Sequence, residues 1–320
     1  MNKNFIVSSP NRLDKFLSLQ LDETRNQIEQ LIKKECVKVD GKICTKTGLK
    51  LKEEQSVDVT FPQVEKKEAQ AIDFDVEILY EDDSILVINK PSNLIVHDAP
   101  SVSEPTLVDW LKHQNISLST ISGEERHGIV HRLDKGTSGV MVVAKTNEAH
   151  QFLSEQLQDK SMGRYYLAII DLPLKENVII EKPIGRNPHN RLKMGVVENG
   201  RFAKSAFNKM ALSKNEKYEL ISAKLFTGRT HQIRVHLSSI NRHILGDNLY
   251  GFKGEFNKIN RVYLHAYSLY LIHPLTKREM NFTAPLENDM TTFLENNFNT
   301  EEICDKINQT YIINSFSSAH

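Results

Sequence analysis

The chain has few of the residues that build disulfide frameworks or zinc sites. Three cysteines, Cys36, Cys44 and Cys304, occur in 320 residues. Their spacing fits neither a bridged scaffold nor a Cys-x-x-Cys pattern, so reduced thiols in a cytoplasmic protein are expected. No run of eighteen apolar residues is present, which excludes a uniformly apolar membrane-spanning helix. The opening segment MNKNFIVSSPNRLDKF has no apolar stretch of secretory length, and export is not expected. A phosphate-cradling glycine loop, a His-Glu-x-x-His pair and a Gly-x-Ser-x-Gly elbow are all missing. Nucleotide-driven, zinc and serine-hydrolase chemistry therefore lack their usual marks. An excess of one sign of charge is missing too: 41 Lys and Arg balance 41 Asp and Glu. A nucleic-acid binder ordinarily carries basic surface, so this total weighs against RNA.

The distribution of charge weighs the other way. Ile221 to Gly246 holds Lys224, Arg229, Arg234 and Arg242 and no acid, and Gly163 to Lys204 holds eight Lys or Arg against four acids. From Leu286 onward the chain is acid-rich. Local patches, not whole-chain totals, bind phosphate. With 39% apolar and 26% charged residues the composition is that of a globular protein, long enough for one large domain and a small one.

Residues 1–62 read as a small α/β module. Leu13, Phe16 and Leu17 share one helical face; Thr24 can cap a second helix carrying Ile28, Leu31 and Ile32. Asp40-Gly41 between two short β-prone runs predicts a hairpin, because both turn positions need positive φ. Val57, Val59 and Phe61 alternate as a closing strand. Residues 63–72 lose this periodicity and become charged, as a linker does. A larger domain is predicted over 73–296. Phe74, Val76 and Ile78 alternate, and strands are expected at Ile85–Ile88, Val140–Ala144, Tyr165–Ile170, Ser205–Met210, Tyr218–Phe226 and Tyr263–Ile272. One helix is predicted from Asn147, its cap, to near Gly163. Strands outnumber helices without alternating regularly, which predicts α+β with a largely antiparallel sheet. Residues 297–320 read as a polar C-terminal tail.

Three segments could carry chemistry. His127-Gly-Ile-Val-His131-Arg132-Leu133-Asp134-Lys-Gly-Thr137-Ser138-Gly139 crowds polar groups into a loop before an apolar strand. Taken alone, Asp134 there reads as a turn residue capping backbone amides. Thr227-Gly228-Arg229-Thr230-His231-Gln232-Ile233-Arg234-Val235-His236 alternates polar and apolar residues, and alone reads as a basic strand. Gly163-Arg164-Tyr165-Tyr166-Leu167-Ala168 reads as a packing strand, although a tyrosine facing a cleft could stack on a base.

Together these segments resemble the RluA/RluD family of RNA pseudouridine synthases. His131-Arg132-Leu133-Asp134-x-x-Thr137-Ser138-Gly139 matches its signature. Asn89-Lys90-Pro91, Arg164-x-Tyr166-x-Ala168, Gly228 to His236, Gly246-Asp247, Tyr250-Gly251 and Leu264-His265-Ala266 follow in the family's order between Phe74 and Leu286. Arg164 stands where lysine is frequent, and Asn93 where glycine is. The leading module resembles the S-four RNA-binding domain through Arg12-Leu13-Asp14 and Val39-Asp40-Gly41. The resemblance implies a pseudouridine synthase fold, a mainly antiparallel mixed sheet flanked by helices. It implies Asp134 as the catalytic carboxylate, Arg234 as its ion-pair partner, and Tyr166 stacked on the target uracil. An arginine partner would favour the charged form of that carboxylate. Arg132 would fill the gap left by the extruded base, Arg229 would contact phosphate or scaffold, and Leu264 would wall the pocket. His131 would shape the loop. Lys15, Arg25 and Lys33 would grip RNA backbone, although each alone reads as a solvated helix residue. No cofactor and no metal are implied, because the isomerisation changes no oxidation state. Gly128-Ile129-Val130 resembles the branch that modifies large-subunit (23S) ribosomal RNA. A cytoplasmic monomer is expected. The alternatives are the same chemistry on tRNA, or a non-catalytic RNA-binding factor in ribosome assembly.

Overall fold

The computed structural model describes residues 2–21, 25–60, 72–97, 104–116, 118–119, 127–253, 259 and 261–317. Thr24, residues 63–71 of the expected linker, and the side chain of Arg25 lie outside the described residues. The chain divides into two compact units, Met1–Gln70 and Ala71–His320. Among the described residues no helix is long and apolar enough to cross a membrane.

In the first unit, strands β1 (Asn2–Ile6) and β2 (Asn11–Arg12) precede helices α1 (Leu13–Leu21) and α2 (Arg25–Lys33). Strands β3 (Val37–Val39), β4 (Lys42–Ile43), β5 (Lys50–Leu51) and β6 (Ser56–Thr60) follow. The main sheet has the order β1-β6-β3-β4. Leu13, Phe16 and Leu17 of α1 and Ile28 and Ile32 of α2 are buried against Val37, Val57 and Val59. Helical and strand periodicities thus close one small core. Asp40 (φ 50°) and Gly41 (φ 76°) both occupy left-handed backbone at the β3–β4 turn. The Asp40 carboxylate accepts the Ser56 N–H at 2.9 Å, which ties the turn to β6.

The second unit is built on a nine-stranded sheet. Its elements begin with β7 (Glu77–Glu81), β8 (Ile85–Lys90), α3 (Leu107–His113), β9 (Ser138–Ala144), α4 (Asn147–Asp159) and β10 (Gly163–Asp171). Next come β11 (Val178–Glu181), β12 (Ile184–Arg186), β13 (Met194–Val196), β14 (Lys204–Leu212), β15 (Tyr218–Leu225) and α5 (Gln232–Ser238). The unit ends with β16 (Leu264–Ile272), β17 (Glu279–Thr283), α6 (Asn288–Asn297), α7 (Thr300–Lys306) and α8 (Gln309–Ser315). The sheet order is β11-β14-β15-β10-β16-β9-β8-β7, with β17 also on β16. The pairings are antiparallel except β9 against β16. Fold class is thus α+β with a largely antiparallel mixed sheet, as the strand count predicted. β9 meets β16 only at His265 and Ala266, and β17 takes over from Ser268. Gly139 (φ 116°) sits at that fork, where a Cβ would collide with the Ala266 backbone. Only glycine lets the two backbones approach this closely.

Four local expectations change. Val76 is buried, but β7 starts only at Glu77, because the Asp75 side chain captures the Val76 N–H at 2.8 Å. α4 is capped by Thr146, whose hydroxyl accepts from the Ala149 N–H, and it ends on Lys160 in the left-handed region. Gly163 begins β10 instead. The predicted strand around Thr230–Val235 is a turn followed by helix α5, for reasons given below. Residues 297–320 are not a polar tail: α7 and α8 bury Ile303, Ile312 and Phe316 in the main core. Two seven-residue helices, capped by Asn299 and Asn308, bury too few residues each to give a readable period. Phe316 packs its ring 5.6 Å from that of Tyr165. Phe316→Ala is expected to lower the stability of this unit by roughly 3–5 kcal/mol in chemical denaturation. An unchanged midpoint would mean that α8 does not dock.

Candidate active site

Asp134 lies in the loop between Ile129 and β9, and that loop is fastened from beneath. The Thr137 N–H donates to the Asp134 carbonyl at 3.0 Å, which closes a tight turn. The fully buried Lys90 ammonium donates to the carbonyls of Pro91 (2.7 Å) and Leu94 (2.8 Å) and reaches that of Lys135 at 3.5 Å. Burial lowers its pKa to about 7, against the opposing charges of Glu287 and Asp134. His131 Nε2 accepts the Val142 N–H at 3.1 Å, which pins the loop to β9. This imidazole is neutral: burial first, and then the Arg164 charge, lower its pKa to about 3.

α5 brings the second half of the site. His231 holds a left-handed conformation (φ 57°), which ends the turn after β15 and starts the helix. Gln232 braces that start, its carbonyl accepting from the Thr227 hydroxyl (2.7 Å) and the Arg229 N–H (2.9 Å). Residues three or four apart share a helix face. Gln232 and His236 accordingly meet at the Ser205 hydroxyl, at 2.8 and 3.0 Å. His231 and Arg234 meet at Asp134: Arg234 Nη1 donates at 3.2 Å, and His231 Nε2 lies 3.8 Å away.

Arg234 is held by a second carboxylate. Its Nε and Nη2 donate to the two oxygens of Asp247 at 2.7 and 2.8 Å. The Tyr250 ring covers the guanidinium at 4.8 Å. The Tyr250 hydroxyl accepts the Met194 N–H (2.8 Å) and contacts His231 Nδ1 (2.7 Å). Burial works against charging Arg234, but the hydrogen bonds and charges of Asp247 and then Asp134 outweigh it and raise its pKa. Burial also lowers the pKa of His231, against the Asp134 charge. Arg234 is 8% exposed, Asp247 1% and Asp134 18%, so Asp134 alone of the three turns a carboxylate towards open space.

That space is a cavity of about 330 Å³. Asp134, Tyr166, Arg234, Arg132, Arg229 and Leu264 all line it, and so do Arg164, His131 and His231. Tyr166 reaches it from β10, where the register shifts between Tyr165 and Tyr166. Tyr165 faces the opposite way, against Tyr270 and Phe316. Arg132 is exposed, with Nη1 2.9 Å from His97 Nε2. Arg229 donates from Nε to the Phe202 carbonyl at 2.9 Å. Lys15 and Lys33 belong to the first unit and are exposed; Lys33 lies 3.7 Å from Glu29. Asp247, His231, Tyr250 and Lys90 were given no role in the sequence reading. A sequence signal for Asp247 exists: it is the first acid after the acid-free stretch Ile221–Gly246, and a buried arginine needs a carboxylate. Among the described residues no group of three metal-ligating side chains occurs.

The neutral His131 makes the fold acid-sensitive. From its ordinary value of 6.5 down to about 3, the unfolded chain binds a proton that the folded protein refuses. Stability is therefore expected to fall as pH drops below 6.5, by up to ~1.4 kcal/mol per pH unit from this group. His265, lowered to about 4 by burial, acts in the same direction. His131→Gln keeps an acceptor for the Val142 N–H and should flatten the dependence of denaturation midpoint on pH. An unaltered slope would show that His131 protonates within the fold.

Comparison with known proteins supplies the family. The profile described as RNA pseudouridylate synthase matches residues 84–239, and that described as S4 domain matches residues 11–57. A Helicobacter pylori (strain J99) protein named "Uncharacterized RNA pseudouridine synthase" is 46% identical over 325 residues, covering 99% of both chains. A Zymomonas mobilis protein named "Ribosomal large subunit pseudouridine synthase D" is 38% identical over 291 residues, 87% of this chain and 91% of its own. The solved human RNA Pseudouridylate Synthase Domain Containing 4 superposes with a TM-score of 0.53 at 26% identity, over 68% of this chain and 92% of that one. The chain belongs to the RNA pseudouridine synthase family and is an isomerase acting on RNA.

Proposed function

We propose that this enzyme converts uridines of large-subunit ribosomal RNA to pseudouridine, with Asp134 as its catalytic carboxylate. The observation that carries the reading is the 3.2 Å contact between Asp134 and Arg234 at the wall of a cavity that Tyr166 also lines. The reaction breaks the N1 glycosidic bond, turns the base and rejoins it to the sugar through C5. Nothing is oxidised and no energy source is consumed, so the chain's own side chains suffice. Asp134 acts at the ribose as nucleophile or base, and Arg234 orients it and supplies its counter-charge.

Tyr166 stacks on the extruded uracil. Its pKa is raised, first by burial and further by the Asp134 charge, while Arg164 opposes the rise, so the phenol stays neutral at pH 7. Leu264 walls the same space. Arg132, exposed at the mouth, fills the stack that the base has left and offsets part of the few kcal/mol that extrusion costs. Arg229 orients the strand near phosphate. In the first unit Lys15, Arg25 and Lys33 hold RNA backbone, which positions the substrate without reading its sequence. Two relatives named "Ribosomal large subunit pseudouridine synthase D", at 38% and 37% identity, support ribosomal RNA as the target. A cytoplasmic monomer working without a cofactor completes the reading.

A pseudouridine map of large-subunit rRNA with and without the gene tests the substrate: one or more sites should vanish in the deletion strain. An unchanged rRNA map with sites lost from tRNA would redirect the enzyme to tRNA. Asp134→Asn is expected to abolish turnover while holding RNA affinity within roughly tenfold, on the order of 1.4 kcal/mol. Joint loss of binding and activity would give Asp134 a folding role in place of a chemical one.

A further inference from the structure

Among the described residues four arginines line the cavity, and three of them have protein acceptors. Arg234 is divided between Asp247 and Asp134, Arg229 donates to the Phe202 carbonyl, and Arg132 contacts His97. Arg164 differs. Among the described residues no side-chain hydrogen bond or ion pair holds its guanidinium, and its buried Nε has no acceptor. Such a donor is costly to leave unmade, and native folds rarely keep one without use. Two features aim the group at the cavity. Arg164 and Tyr166 both line it from β10, two residues apart, with Tyr165 between them turned the other way. Gly228 backs the guanidinium: a Cβ there would stand 3.0 Å from Arg164 Nη2. The Arg164 charge is felt inside, where it lowers the pKa of His131 and opposes the rise at Tyr166.

We propose that Arg164 is the recognition residue for the target nucleotide, donating from its planar fork to an acceptor oxygen that the substrate brings. This rests on the reading of the cavity as the uridine site. The oxygen is a uracil carbonyl lying along Tyr166, or one of the phosphodiester beside it. At the O4 edge the contact would also select uracil, since cytosine presents an amino group there and two donors would face each other. A site built to hydrogen-bond one group discriminates strongly against an analogue that lacks it.

The test uses the full-length enzyme and large-subunit rRNA transcribed with UTP, 4-thio-UTP, 2-thio-UTP or the α-thio analogue of UTP. Sulfur is the weaker acceptor at each position. Single-turnover pseudouridine formation is mapped for wild type and Arg164→Gln, with a circular-dichroism melt to check folding. R164Q should be slower by at least about tenfold on the UTP transcript, with RNA affinity nearly unchanged. The sulfur penalty seen with wild type should collapse in R164Q for one transcript, and which one assigns the oxygen to base or phosphate. R164K, which keeps the charge but loses the fork, should show the same collapse and carries the test if R164Q melts early. Wild-type rates in R164Q, or slow rates with every sulfur penalty intact, would overturn the proposal. Wild-type enzyme inert on every transcript would instead overturn the substrate reading on which it rests.

Discussion

One guanidinium shared by two carboxylates organises the catalytic unit. Arg234 gives Nε and Nη2 to Asp247 and Nη1 to Asp134. The first contact is short, bidentate and buried; the second is longer and reaches a more open group. This division separates a buried supporting carboxylate from one that opens onto the cavity. Asp247 fixes the plane of the guanidinium, with Tyr250 stacked over it and donating its own N–H to Asp247 at 3.2 Å. The remaining N–H then points along one direction, and Asp134 lies there. Charge-assisted bonds of this kind are strong only while both members are present. Removal of one partner strands the other charge inside the protein, at a cost of roughly 3–5 kcal/mol.

The backbone must deliver Asp134 to that N–H from a hundred residues earlier in the chain, and it does so by rigid attachment on both sides. Lys90 and His131 tie the loop to β8 and β9 through backbone groups. α5 is tied to β14 at Ser205 by Gln232 and His236. The switch from turn to helix at His231 decides the outcome. In a strand, Arg234 and His231 would face opposite ways. In the helix they stand three apart on one face, and both look at Asp134. His231 is a non-glycine residue in left-handed backbone, a strained state that the Tyr250 contact and the Gln232 brace hold in place.

How much of this was readable follows from where the signals lie. The continuous apolar runs at Val140–Ala144 and Tyr165–Ile170 are strands that cross the core, so their burial is written in every residue. The Asp40-Gly41 turn was readable because positive φ is a local demand. The segment from Thr227 to His236 misled because the alternation of polar and apolar residues from Gln232 to His236 mimics a strand. The helix there is only seven residues long and starts on a left-handed residue that no propensity anticipates. The C-terminal helices escaped because each contributes just one or two side chains to a core assembled from distant strands. Site residues with a motif of their own, Asp134, Tyr166 and Arg234, stood out through the family resemblance. Asp247, Lys90 and Tyr250 act on other side chains or on backbone carbonyls, and such roles exist only in three dimensions.

The balanced charge, which weighed against an RNA partner, has a structural explanation. Several acids are paired with buried arginines, which cancels part of their contribution to the surface field. Arg261, nearly buried beneath the Asp134 loop, is held by Glu287 at 3.0 Å and Asp289 at 2.8 Å, and its Nη1 donates to the Ser138 hydroxyl at 3.3 Å. Ser138 in turn meets His265, and Glu287 also accepts the Ser92 N–H at 2.6 Å. The acid-rich region after Leu286 thus partly supplies the counter-charge of the buried Arg261. Asp247 is spent in the same manner on Arg234. Among the described residues Asp134 is the only acid lining the cavity, where Arg132, Arg164 and Arg229 stand around it. A polyanion responds to that local imbalance, screened beyond about 10 Å, and not to the sum over the whole chain.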